Sequence, residues 1–226
     1  MKRLFTVLIS LLVIFPALAQ QVNESAYERY INKANYDQMV PGFYLQGNKK
    51  TEAKIKCLSP VDLQNDHIAF TVDKGKGDED LAKSKVSAVN YDGKTYIPEN
   101  ISDSVVWVML GSEGAIRETI YFDPIPKKHP EYYKVMHLVT NTTTQEGYFI
   151  GSLAVNFNKI MAEMTKENAE MSQKIKDRVA GYRFIDYKKI VAEYNLWFQN
   201  EYPKRIKYIG EVPDFQALID SETNKY

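Results

Sequence analysis

Gly42-Phe43-Tyr44-Leu45-Gln46-Gly47-Asn48-Lys49-Lys50-Thr51-Glu52-Ala53-Lys54-Ile55-Lys56-Cys57 is the stretch on which the fold turns. Glu52, Lys54 and Lys56 alternate with Ala53, Ile55 and Cys57. In an extended chain, neighbouring side chains point to opposite faces, so this alternation puts charge on one face and apolar groups on the other. Gly47-Asn48-Lys49-Lys50 supplies the turn, and Pro60 ends the run. The segment reads as an antiparallel hairpin with one face on a core and one in water.

The same grammar continues downstream. Ile68 to Val72 reads as a short strand, and Asp73 to Lys85 as a charged loop. Val86 to Tyr91 and Thr95 to Ile97 flank Asp92-Gly93, a strong hairpin turn signal. Val105 to Leu110 is apolar throughout, as a central strand would be, and Gly111 and Gly114 bracket a turn. Ile116 to Phe122 alternates again. After Pro124, Pro126 and Pro130, Tyr132 to Val139 and Tyr148 to Leu153 form a further pair. Short strands with turns at this spacing suggest an antiparallel sandwich or barrel.

After Asn156 the period changes from two to 3.6. Phe157, Ile160, Met161, Met164, Met171, Ile175 and Val179 lie on one helical track, with Asn168 as a polar interruption and Gly181 as the expected C′ residue. Asp186 then caps a second helix, whose stripe is Tyr187, Ile190, Val191, Tyr194, Trp197 and Phe198; Pro203 stops it. A brief strand at Ile206–Ile209 and a short helix around Phe215 to Ile219 complete the tail. The expectation is an α+β chain: an antiparallel β-sandwich or barrel-like domain over 42–154, then a helical hairpin and tail over 155–226. Residues 20–41 carry Tyr27, Tyr30, Ile31 and Ala34 at helical spacing and read as an N-terminal arm or short helix, with Asn23 available as a cap.

Residues 1–19 have a different character. Lys2 and Arg3 precede an apolar run from Leu4 to Phe15, and Pro16-Ala17-Leu18-Ala19 ends it. A positive end, a short apolar helix and small residues at −3 and −1 are what a cleavable secretory signal peptide requires. The run is too short to span a bilayer, which takes about 20 residues. No Cys follows Ala19, so the lipoprotein route is not indicated. Cleavage near Ala19 would leave a 207-residue mature chain destined for the periplasm or the exterior, with 27 basic against 29 acidic side chains. That balance argues against nucleic acid as a partner. The partner is expected to be an unidentified envelope protein or glycan. Cys57 is the single cysteine of the 226 residues, so no disulfide can form within the chain, and its place on the apolar face makes it a small buried group.

Gly42-Phe43-Tyr44, Lys54-Ile55-Lys56, Ile68-Ala69-Phe70, Tyr96-Ile97-Pro98-Glu99-Asn100-Ile101 and Ile190-Val191-Ala192-Glu193-Tyr194-Asn195 follow one another in an order that resembles a group of short exported bacterial proteins of unknown function. Those proteins pair a β-rich N-terminal domain with a helical C-terminal segment. The resemblance implies a Gram-negative envelope location and the β-then-α order. It brings no activity, no cofactor and no catalytic residue.

Candidate chemistry is sparse. His67 lies near Asp62 and Asp66, His129 lies near Glu131 in the Pro-rich crossing, and His137 sits mid-strand as a satisfied structural residue. None belongs to a metal-type His pair. Gly111-Ser112-Glu113-Gly114 is a turn without the following helix that a nucleophile elbow needs. The loop Asp73 to Asp80 is rich in oxygen donors, yet its spacing is not that of an EF-hand, and Lys74 and Lys76 oppose a cation. Asn23, Asn100 and Asn141 head N-x-S/T triplets, which in a bacterial protein arise by chance. Met161, Met164 and Met171 read as core. No catalytic, cofactor or metal residue is assigned. The expected role is a non-enzymatic binding or interaction module, with a hydrolase acting on an envelope polymer or a carrier of a small apolar ligand as alternatives.

Overall fold

The computed structural model describes residues 38–47, 49–57, 67–71, 79–101, 103–124, 133–209 and 212–225. The expected signal peptide over 1–19, the helix expected around Tyr27, His129 with Glu131, Asp62 with Asp66, and most of the stretch from Asp73 to Asp80 lie outside them. Antiparallel strands precede C-terminal helices, giving the α+β order. The chain divides into two compact units. One comprises residues up to Val108 with Phe122–Val135, and the other comprises Met109–Tyr121 with Met136–Tyr226.

The first unit joins two antiparallel meanders through a crossover connection. Its strands are β1 (Met39–Gln46), β2 (Lys49–Lys56), β3 (His67–Thr71), β4 (Glu79–Ala82), β5 (Ala88–Tyr91), β6 (Lys94–Ile101) and the first half of β7 (Ser104–Ser112). They lie in the order β7-β6-β5-β1-β2-β3-β4, an open series ending at β4 and not a barrel. β1 is central, with Tyr44 opposite Thr51 of β2 and Val89 of β5. Gly47 turns the first hairpin at φ 60°, where a Cβ would be strained. Asp92 and Gly93 both adopt positive φ in the tight turn between β5 and β6, as the Asp-Gly signal predicts. That hairpin stacks Tyr91 on Tyr96, with ring centroids 4.7 Å apart. Tyr44, Ile55, Cys57, Val89, Ile97 and Trp107 are buried. Cys57 is the small buried residue its position suggested. Burial pushes its thiol pKa up and Asp92 adds to the effect, the opposite of an activated nucleophile.

One part of the first unit departs from expectation. Residues 79–85 are not a loop: they form β4 and a 3-10 turn at Lys83–Lys85. Lys83 is buried and donates from Nζ to the Val105 carbonyl at 2.9 Å. Charge composition misled here, because a lysine with an apolar stem can be buried when its ammonium finds a carbonyl.

The second unit holds the remainder of β7, then β8 (Ile116–Pro124), β9 (Tyr133–Asn141) and β10 (Glu146–Phe149), ordered β10-β9-β8-β7; the far ends of β8 and β9 belong to the first unit. Five helices follow: α1 (Ile150–Val155), α2 (Phe157–Met164), α3 (Ala169–Lys176), α4 (Tyr187–Glu201) and α5 (Phe215–Thr223). Tyr148 to Leu153 is thus not one strand, since β10 ends at Phe149 and α1 begins at once. The helical track from Phe157 to Val179 is not one helix either. Thr165 turns its hydroxyl back onto the Met161 carbonyl, and the Asn168 side chain accepts from the Met171 amide to start α3. The track continued across the break in sequence, so the break was hidden. Met161, Met164, Met171, Ile175, Ile190, Tyr194 and Phe198 all enter the buried core, as their stripe predicted.

Val179, by contrast, is exposed. α3 ends three residues before it in a Schellman motif, in which the Val179 amide donates to the Lys174 carbonyl and the Arg178 amide to that of Ile175. The left-handed C′ residue is therefore Arg178, at φ 57°, and not Gly181. An L side chain is strained there, so Arg178→Gly is expected to stabilise the protein by about 1 kcal/mol. Thermal denaturation checks this, and a lowered Tm would refute it. Asp186 is likewise not the side-chain cap of α4. Its carboxylate accepts from the Arg183 amide and closes the 3-10 turn Phe184–Asp186. Ile206–Ile209 is not a strand. The expected terminal helix is α5, capped by Asp214, which accepts from the Ala217 amide.

Candidate functional site

The site in the second unit begins with a buried amide. Asn195 on α4 accepts from the Ile116 amide and donates to the Ile116 carbonyl, both at 2.8 Å. The side chain thus pairs with the first residue of β8 as a neighbouring strand would. Gly114 makes room for it: a Cβ there would stand 2.4 Å from the Asn195 amide carbon. These contacts fix α4 against the start of β8.

Two residues further along β8, Glu118 faces Ser112 of β7 in register, just past an irregularity between Leu110 and Ser112. Residues opposite each other on one face stand within side-chain reach. Glu118 Oε1 pairs with His137 Nδ1 of β9 at 3.0 Å and accepts from the Tyr187 hydroxyl of α4 at 3.1 Å. Burial pushes the Glu118 carboxyl pKa up, but the hydrogen bond from His137, the positive charge of Lys188 and the Tyr187 hydroxyl outweigh it, leaving the group below its ordinary value. Glu118 is therefore held as an anion.

Gly111, Ser112, Glu118, Lys188, Val191 and Phe215 are among the residues that line a half-open cavity of about 140 Å³, whose far wall is α5. Leu218 of α5 is 42% exposed at this pocket. Glu222, a second carboxylate of the lining, is paired with Lys225 at 2.6 Å. The Ser112 hydroxyl is buried without a hydrogen-bond partner.

The chain matches no protein-family model, no curated protein and no solved structure.

Of the residues singled out in the sequence, His137 is mid-strand and satisfied, as expected. Its partner Glu118 was not foreseen. His67 opens β3. Gly111 and Ser112 belong to β7, and the turn proper covers the three residues before Ile116. Asn141 is a buried structural group: its amide donates to the Met164 carbonyl at 2.9 Å, and its oxygen accepts from the Thr143 amide and hydroxyl. No group of three or more His, Cys, Asp and Glu among the described residues could hold a metal ion. No helix among them is long and apolar enough to cross a membrane.

The depressed Glu118 pKa carries a sign. A carboxyl lowered on folding contributes stability above its unfolded pKa and loses it as pH falls through the folded value. The unfolding free energy of the wild type should therefore fall more steeply below about pH 4.3, the ordinary glutamate value, than that of Glu118→Gln. Parallel pH profiles for the two proteins would contradict this.

Proposed function

We propose that the protein is an exported, non-enzymatic binding module of the bacterial envelope, and that the pocket between α4, α5 and the β7–β8 pair is its binding site. The supporting observation is the state of Glu118. A general acid or base works best with a pKa near the operating pH, which for a carboxyl means raised. Glu118 is shifted the other way, by donors that fix its position. A fixed anion beside a small cavity suits recognition.

The alternatives have less behind them. A polymer hydrolase would want two carboxylates poised across a cleft, whereas Glu118 and Glu222 are each already paired. A carrier of apolar ligands would want an enclosed cavity of several hundred Å³, and this one is about 140 Å³ and half open. Export rests on the residues of 1–19 and on the resemblance to exported proteins.

The test is a thermal-shift screen of the purified protein against small polar metabolites and envelope fragments. A compound that raises Tm, loses its effect in Glu118→Gln and is recovered chemically unchanged supports the reading. Turnover of a substrate, abolished in Glu118→Gln, would overturn it. N-terminal sequencing of the periplasmic fraction should begin at Gln20; an intact Met1 end in the cytoplasm would refute export.

A further inference from the structure

Of the three charged side chains that line the pocket, Glu222 is paired with Lys225, while the opposite charges Glu118 and Lys188 do not meet. Lys188 is exposed on α4 and makes no ion pair or hydrogen bond among the described residues, yet its charge helps to depress the Glu118 pKa. The two groups therefore feel each other from beyond ion-pair distance. Glu118 commits Oε1 to both His137 and Tyr187, and no described residue donates to Oε2. Val191, Phe215 and the half-exposed Leu218 form the apolar side of the cavity. A cavity of roughly 150 Å³ accommodates a group the size of benzene, and this pocket is of that order, at about 140 Å³.

Resting on the binding-module reading, we infer that the pocket takes a small zwitterion with an apolar side chain, of the free aliphatic α-amino acid class. Its ammonium sits on Glu118 Oε2, its carboxylate on Lys188, and its side chain against Val191, Phe215 and Leu218. A simple amine would satisfy Glu118 and leave Lys188 without an anion; a simple carboxylate would do the reverse. A ligand that bears both charges on one carbon, next to an apolar side chain, satisfies the two groups together while covering Leu218.

Calorimetric titration of the full chain tests this with L-leucine, with isopentylamine, which lacks the carboxylate, and with 4-methylpentanoate, which lacks the ammonium. Leucine is expected to bind at least about tenfold more tightly than either analogue, the equivalent of one charge-assisted contact. Lys188→Met should abolish its advantage over the amine, and Glu118→Gln its advantage over the acid. Lys188 is exposed and makes no ion pair or hydrogen bond among the described residues, so its variant should remain folded without ligand, with at most a small fall in Tm, which separates lost binding from lost folding. Leucine binding no tighter than the analogues, or unchanged in both variants, would overturn the inference. If leucine fails while another unmodified compound binds in a Glu118-dependent way, the binding-module reading stands and this inference falls.

Discussion

Asn195→Leu is expected to destabilise the protein by about 4 kcal/mol. The substitution keeps the volume but removes both hydrogen bonds to Ile116. An N–H and a C=O are then buried without partners, at about 1–3 kcal/mol each. Asn195 itself is only 1% exposed. Asn195→Asp should be no better, because it keeps an acceptor, loses the donor and buries a charge. Since a domain of this kind is stable by about 5–15 kcal/mol in total, the loss is large. Denaturant unfolding measures it, and a loss below about 1 kcal/mol would show that the pairing is incidental.

Gly42→Ala should be nearly as severe, through the first unit. A Cβ on Gly42 would lie 2.1 Å from the Asn90 carbonyl oxygen and 3.2 Å from the Ile55 side chain. The carbonyl is backbone of β5, and β1 is paired on both sides, with Ala53 opposite Gly42 on β2 and Tyr91 on β5. Relieving the overlap therefore means separating β1 from β5. A cost of about 3 kcal/mol follows, at the upper end for overpacking a rigid site. The same denaturant experiment reads it, and a near-neutral variant would mean that β1 and β5 are less closely apposed than described.

Much of the architecture was legible because local physics decides it. Glu52-Ala53-Lys54-Ile55 must be a half-buried strand, Asp92-Gly93 must turn tightly, and the Ile190 to Phe198 stripe must face a core. The failures also have local causes. At Thr165 a hydroxyl competes for a helix carbonyl, and nothing in the apolar track records it. At Arg178 the chain accepts a strained left-handed residue where a glycine three positions later seemed the natural choice. At Lys83 a hydrogen bond to the Val105 carbonyl helps to make burial of an ammonium tolerable.

The site was less legible than the fold. His137 could be recognised as structural, but its partner depends on which strand lies beside β9, and sequence spacing of 19 residues does not encode that. Tyr187 reads as one more member of an apolar helix stripe, and only its hydroxyl betrays a second role. Asn195 ended one of the short motifs of the resemblance, Ile190 to Asn195, but nothing there marked a role for it. Its function exists only when α4 meets the start of β8.

Glu118 is a carboxylate fixed as an anion at the edge of a pocket. Carbon-13 NMR titration of the glutamate side-chain carboxyls, with Glu118→Gln to assign the resonance, tests this most directly. The Glu118 signal is expected to titrate below the ordinary glutamate value. A midpoint at or above that value would contradict it and would favour an acid–base role instead.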